Sequence, residues 1–234
     1  MNIIDVKNLS FSYGKQDILR NICLQVPENS IYGFLGANGA GKSTTIRVLM
    51  GLISAPENTV YFFGKEFTRH RVELLGKVGA LIDFPTFYDH LSAWANLKVI
   101  TKLLGIKDNA INHALEKVGL DSVYDKKVRT FSVGMKQRLG LAIALINNPT
   151  VLILDEPASG LDPLGIIELR KLLTDLQQDH GKTIFVSSHI LDELEKIATH
   201  LAIIHKGHIR FQGTTHELVS KTGSLEKSFL TMTL

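Results

Sequence analysis

Apolar residues in this chain follow two different rhythms, and the two occupy different stretches. Over residues 3–10 and 18–26 apolar and polar positions alternate, the period of strands with one buried face, which predicts an antiparallel edge layer. Residues 31–35 are apolar throughout and break into a glycine-rich loop, after which 44–52 carries helical spacing. Residues 58–63 and 78–82 predict further strands. The run 151–154 has the continuous apolar character of a strand buried on both faces, and 183–187 and 201–204 repeat it. Between Ser92 and Asn148 strand signals stop, and helical periodicity covers 93–104, 110–118 and 135–146. A mainly parallel α/β core interrupted by a helical subdomain accounts for that change. The expected boundaries are a core over about 1–83 and 149–213, a helical subdomain over about 84–148, and a tail over about 214–234 that looks weakly structured from Thr222 onward.

Composition narrows the class. The 234 residues are 44% apolar and 21% charged, an ordinary globular balance, and six prolines leave little room for disorder. The longest uncharged stretch, 139–154, is broken by Asn147, Asn148 and Pro149, short of the roughly 18 apolar residues a membrane-spanning helix needs. The opening Met1-Asn2-Ile3-Ile4-Asp5 has no basic segment leading into an apolar core, so no signal peptide is expected. One cysteine, Cys23, leaves no internal disulfide and fits a reducing compartment. A net charge of +3 gives no case for nucleic acid as a partner.

Chemistry enters at Gly36-Ala37-Asn38-Gly39-Ala40-Gly41-Lys42-Ser43, which fits G-x-x-x-x-G-K-[ST]. Glycines let the backbone wrap closely around phosphates with its N–H groups turned inward. The helix that follows, opening with Ser43 and Thr44, adds the positive end of its dipole. Lys42 would reach the β- and γ-phosphates, and the Ser43 hydroxyl would ligate Mg²⁺. A nucleoside triphosphate is therefore the expected ligand. The run 151–154 ends in Asp155 and Glu156, two carboxylates at the strand end where open α/β sheets hold ligands. Asp155 would orient the magnesium shell, and Glu156 would act as general base on the attacking water, so hydrolysis is the expected reaction.

Phe131-Ser132-Val133-Gly134-Met135-Lys136-Gln137-Arg138 stands just ahead of a helix. With the two motifs above it resembles the ATP-binding cassette (ABC) ATPase family, whose signature reads Leu-Ser-Gly-Gly-Gln. Ser132 and Gly134 are kept; Val133 replaces a glycine and Met135 the glutamine. Covering residues 1 to about 213, the resemblance implies an α/β P-loop NTPase fold: a parallel-sheet core, an antiparallel β layer and an inserted α-helical subdomain in one ATPase domain over 1–234. It implies that Ser132 and Gly134 meet the γ-phosphate held by the opposite protomer, so that two sites form in a head-to-tail dimer with itself or a homologous cassette. Tyr13 would stack on adenine. Ser159-Gly160-Leu161-Asp162 would couple the two sites, while Asp162 before Pro163 also fits a helix N-cap. His189 matches the switch histidine at the γ-phosphate. ATP and Mg²⁺, separately encoded transmembrane permease subunits, and a peripheral location on the cytoplasmic face of the membrane are implied with it.

Asp83 departs from the family, which usually has glutamine there, reaching Mg²⁺ and the attacking water. As a candidate magnesium ligand it accepts from a metal-bound water but, ionised, cannot donate. The stretches 78–88, 132–138 and 160–166 resemble the bacteriocin-immunity branch, which protects against lantibiotics or bacitracin-like peptides and usually has glutamate at this position. The implied function is ATP-driven export of an antimicrobial peptide. The alternatives are export of lipid, drug or other cargo, or a soluble ABC ATPase outside transport. Phe84, Phe87, Tyr88 and Trp94 are candidates for a membrane-subunit groove; Trp94 is expected to pack inside the helical subdomain, and Phe87 and Tyr88 sit nearer the hinge, where an interface is expected. The face Asp192, Glu193, Glu195, Lys196 reads as solvated surface.

Overall fold

A computed structural model describes residues 1–83 and 85–233; Phe84 and Leu234 lie outside the described residues. The chain begins with an antiparallel hairpin of β1 (Asn2–Tyr13) and β2 (Gln16–Pro27), and β3 (Ile31–Leu35) leads through a loop into α1 (Lys42–Leu49). Next come β4 (Val60–Phe62), β5 (Lys65–Glu66), α2 (Phe67–Leu75) and β6 (Val78–Leu81). Among the described residues, three α-helices follow with no strand between them, α3 (Ala93–Leu104), α4 (Asn109–Lys117) and α5 (Val133–Leu145). The remainder runs β7 (Val151–Asp155), α6 (Pro163–Gln178), β8 (Thr183–Ser188), α7 (Leu191–Ile197), β9 (His200–His205), β10 (His208–Thr214), α8 (Thr215–Thr222) and α9 (Leu225–Thr233). Among the described residues, no helix is long and apolar enough to cross a membrane.

One sheet is antiparallel, in the order β2-β1-β4-β5. The other has the order β10-β9-β3-β8-β7-β6 and is parallel except where β10 runs against β9. Side-chain alternation builds the layers between them. Tyr32 and Phe34 turn toward the antiparallel sheet and meet Phe185, with ring centroids 5.6 and 5.3 Å apart, in a cluster with Ile4, Leu24 and Phe62. Ile31 and Leu35 turn the other way, into a cluster with Leu97, Leu139, Leu154 and Ile184. β3 is buried on both faces, as its uniform apolar sequence predicts.

The helical stretch is tied to the sheet by a very close approach of α5 to β6. A Cβ added to Gly79 would stand 2.0 Å from the carbonyl oxygen of Ala144, so only glycine fits between strand and helix. That contact sets the position of α5 and of Ser132 at its start. Because β3, β6, β7 and β8 run parallel, the loops after Leu35, Leu81, Asp155 and Ser188 share one rim. Ligands of open α/β sheets bind at that rim.

The C-terminal residues are ordered where the sequence suggested weak structure. Thr214 caps α8 by accepting from the Glu217 N–H, and Gly223 ends it in the left-handed conformation. Leu218 and Leu225 are buried, and the Leu225 N–H donates to Glu195 at 3.2 Å. Each of these helices spans two turns or little more, too short for a clear period, and docking rather than propensity stabilises them. Trp94 and Phe87 pack against the core cluster, whereas Tyr88 is exposed.

Candidate active site

The phosphate loop takes its shape from where β3 ends and α1 begins. Gly41 sits at φ 113°, a conformation that side chains resist, and a Cβ there would lie 2.8 Å from Leu19 Cδ2. Among the described residues no side chain caps α1, which leaves its first-turn N–H groups available to an anion. Lys42, only 6% exposed, donates from Nζ to the Gly36 carbonyl at 2.7 Å. Its ammonium therefore points into the loop.

The acids arrive from the neighbouring strands. Asp155 and Ser187 lie opposite each other in β7 and β8, and the Ser187 hydroxyl donates to Asp155 Oδ1. The same Ser187 oxygen accepts from the Glu156 N–H at 3.0 Å. Glu156 has φ 48°, the left-handed region a non-glycine residue occupies only when its surroundings hold it there. This turn brings its carboxylate across the rim. Oε1 lies 3.2 Å from Lys42 Nζ, and Oε2 lies 2.7 Å from His189 Nδ1. One carboxylate thus joins the phosphate-loop lysine to the histidine after β8, and the charge of the nearly buried Lys42 has its counter-charge in place.

Asp83 meets Arg47, a residue that belongs to none of the motifs above. Tyr13, half exposed at the end of β1, packs edge-on against Phe11 with centroids 4.8 Å apart. Arg47, on α1, donates to both oxygens of Asp83 at 2.9 and 3.1 Å. Hydrogen bonding and charge from Asp83 hold the Arg47 guanidinium above its ordinary range, and the Tyr13 hydroxyl contributes in the same sense. The structure thus sets the Asp83 carboxylate, the candidate magnesium ligand of the sequence, against the Arg47 guanidinium.

Ser132 and Gly134 belong to a second group. The Ser132 hydroxyl oxygen accepts from the Met135 N–H at 3.2 Å and caps α5, which leaves its proton free to donate. Asp162 caps α6 by accepting from the Gly165 N–H at 2.8 Å, with Pro163 in the first turn. Ser132, Gly134, Gly160, Leu161 and Asp162 line one cavity of about 570 Å³, to which no phosphate-loop residue contributes. Gln137 links the two groups: buried on α5, it donates from Nε2 to the Pro157 carbonyl at 3.0 Å, one residue beyond Glu156.

A phosphate loop after β3, acids at the end of β7 and a histidine after β8, on a parallel sheet covered by an antiparallel layer, define a P-loop nucleoside triphosphatase. Residues 19–159 match the family model described as ABC transporter. The chain belongs to that family, as an ATP-binding and ATP-hydrolysing subunit. It is 45% identical to the lantibiotic transport ATP-binding protein SrtF of Streptococcus pyogenes, over 88% of this chain and 89% of SrtF. Identity to the bacitracin transport ATP-binding protein BcrA of Bacillus licheniformis is 47%, over 88% of this chain and 67% of BcrA. A solved structure of an ATP-binding subunit of an ABC transporter superposes with a TM-score of 0.87 at 26% identity, covering 98% of this chain and 99% of that one.

Proposed function

We propose that this subunit drives export of an antimicrobial peptide, lantibiotic-like or bacitracin-like, through separately encoded membrane subunits, from the cytoplasmic face of the membrane. The observation that carries the catalytic part is the Glu156 carboxylate, held between Lys42 and His189. Similarity to SrtF and BcrA supports the cargo class.

The residues divide the work by position. Backbone N–H groups of Gly36, Ala37, Asn38, Gly39, Ala40 and Gly41, with those of Ser43 and Thr44, surround the phosphates, and Lys42 turns from the Gly36 carbonyl to the β- and γ-oxygens. Tyr13 stacks on adenine. Glu156 takes a proton from the attacking water, and His189 orients that carboxylate and meets the γ-phosphate. Ser43 and Asp155, both hard oxygen donors, suit Mg²⁺ and would hold it, with Ser187 fixing one Asp155 oxygen. Bound there, Mg²⁺ supplies positive charge against the phosphate oxygens.

Ser132 and Gly134 then act on the ATP of a second copy or a homologous cassette. Their cavity, free of phosphate-loop residues, supports this arrangement; Gly160, Leu161 and Asp162 line it, and with the preceding Ser159 they couple the two sites. Loss of the γ-phosphate removes the group that both protomers hold, and the dimer loosens. Unequal affinity of the closed dimer for ATP and ADP makes hydrolysis drive a cycle.

In this account Asp83 serves coupling through Arg47 rather than hydrolysis. Asp83→Gln is expected to reduce peptide resistance in the host more than it reduces ATPase of the purified chain; equal losses contradict the role. Because both side chains are substantially exposed, stability should change by less than about 1 kcal/mol, read by denaturant unfolding. The export reading is tested in a host carrying the wild type or Glu156→Gln, challenged with lantibiotics, bacitracin and unrelated drugs. Selective sensitisation to one peptide class is expected. Unchanged susceptibility, with both proteins present at the membrane, contradicts the reading.

A further inference from the structure

A second charge pair lies behind the site, between two helices that start at functional loops. Arg170 on α6 and Glu193 on α7 approach to 3.3 Å between Nε and Oε2, with side chains 22% and 18% exposed. Glu193 is therefore not part of the solvated face that the run Asp192 to Lys196 suggests. Among the described residues, these two atoms are the buried side-chain nitrogen and oxygen atoms without a hydrogen-bond partner of good geometry. Opposite charge, not an aligned hydrogen bond, brings them together. The surroundings are mostly apolar and tightly packed, leaving a cavity of only about 20 Å³. Pro157 and Ala158, the residues after Glu156, line that seam with Ser188, the residue before His189.

The helices give the pair a task. α6 begins at the Asp162 cap, so a displacement of the 159–162 loop carries α6 with it. α7 begins two residues after His189, so its position sets where the imidazole stands. Apolar contacts such as Leu169 and Leu173 with Leu194 are non-directional and permit sliding. A charge pair in an apolar seam fixes one register, and burying it costs enough that apolar side chains of similar volume serve stability as well or better. We infer that Arg170 and Glu193 register α7 on α6, so that the position of the Ser159–Gly160–Leu161–Asp162 loop is passed to His189 and its contact with Glu156. Both are positioning residues for hydrolysis, an inference that rests on the roles proposed above for Glu156 and His189.

The test uses the full chain. Arg170→Met/Glu193→Leu removes both charges at similar volume, Arg170→Glu breaks the pair, and Arg170→Glu/Glu193→Arg exchanges it, with Glu156→Gln measured alongside. MgATP binding and steady-state ATPase are measured for each. The apolar double variant should be at least as resistant to unfolding as the wild type, bind MgATP within about twofold of it, and lose about tenfold in kcat. Arg170→Glu should lose as much, and the exchanged pair should return to within about threefold of wild type. Wild-type kcat in the apolar variant, or an exchanged pair no faster than Arg170→Glu, overturns the inference. A Glu156→Gln variant with wild-type turnover would overturn instead the assignment of the hydrolytic site on which it rests.

Discussion

Glu156→Gln should bind MgATP with nearly wild-type affinity and hydrolyse it on the order of a hundredfold more slowly, while an ATP-bound dimer accumulates. The substitution keeps the shape of the side chain and the contact of one oxygen with Lys42, so the loop should hold. It removes the proton acceptor, because a neutral amide cannot take a proton from water at neutral pH. It also changes the side of the group that faces His189 Nδ1 at 2.7 Å, since an amide there can be an NH₂ donor or a carbonyl. Single-turnover hydrolysis checks the rate and light scattering after chromatography in ATP checks the dimer. Turnover within about twofold of wild type would take the base assignment away from Glu156.

Lys42→Ala is expected to act one step earlier. Its ammonium is nearly buried, bonded to the Gly36 carbonyl and 3.2 Å from Glu156, so its removal strips the loop of its one side-chain cation and leaves Glu156 without a counter-charge. MgATP affinity should fall by roughly tenfold to a hundredfold, as for loss of a charge-assisted contact to phosphate. Hydrolysis should drop further than binding, because the cation also stabilises charge that builds on the γ-phosphate in the transition state. Equilibrium binding of a fluorescent ATP analogue, together with ATPase assays at saturating MgATP, separates the two losses. An affinity equal to wild type would contradict the position given to Lys42.

The two variants probe the part of the site that was legible in sequence, and the reason it was legible is local. Asp155 and Glu156 stand at the end of an apolar strand, Lys42 and Ser43 end the glycine-rich loop that leaves another, and their residue types are what phosphate and water chemistry require. β3, β7 and β8 announced themselves by short runs with an apolar centre, buried on both faces. What escaped is contact across the topology by residues of ordinary type. Ser187 looks like any polar residue ending a strand, yet it holds both Asp155 and Glu156. Arg47 is one more cation on a helix, yet it pairs with Asp83, which sequence alone assigns to a metal. Glu193 sits among charged neighbours that suggest solvent, and only the turn of α7 shows it facing Arg170. β5 has two residues and α8 has eight, too few for a period to stand out.

The proposed arrangement places each ATP between the phosphate loop of one protomer and Ser132 of another. It is tested most directly by mixing two inactive variants, Lys42→Ala and Ser132→Arg, and measuring ATPase. A mixed dimer would hold one site made of the intact phosphate loop from one chain and the intact Ser132 from the other, so activity should return, toward about a quarter of the wild-type sites if pairing is random. A mixture no more active than either variant alone would mean that the site does not span two chains.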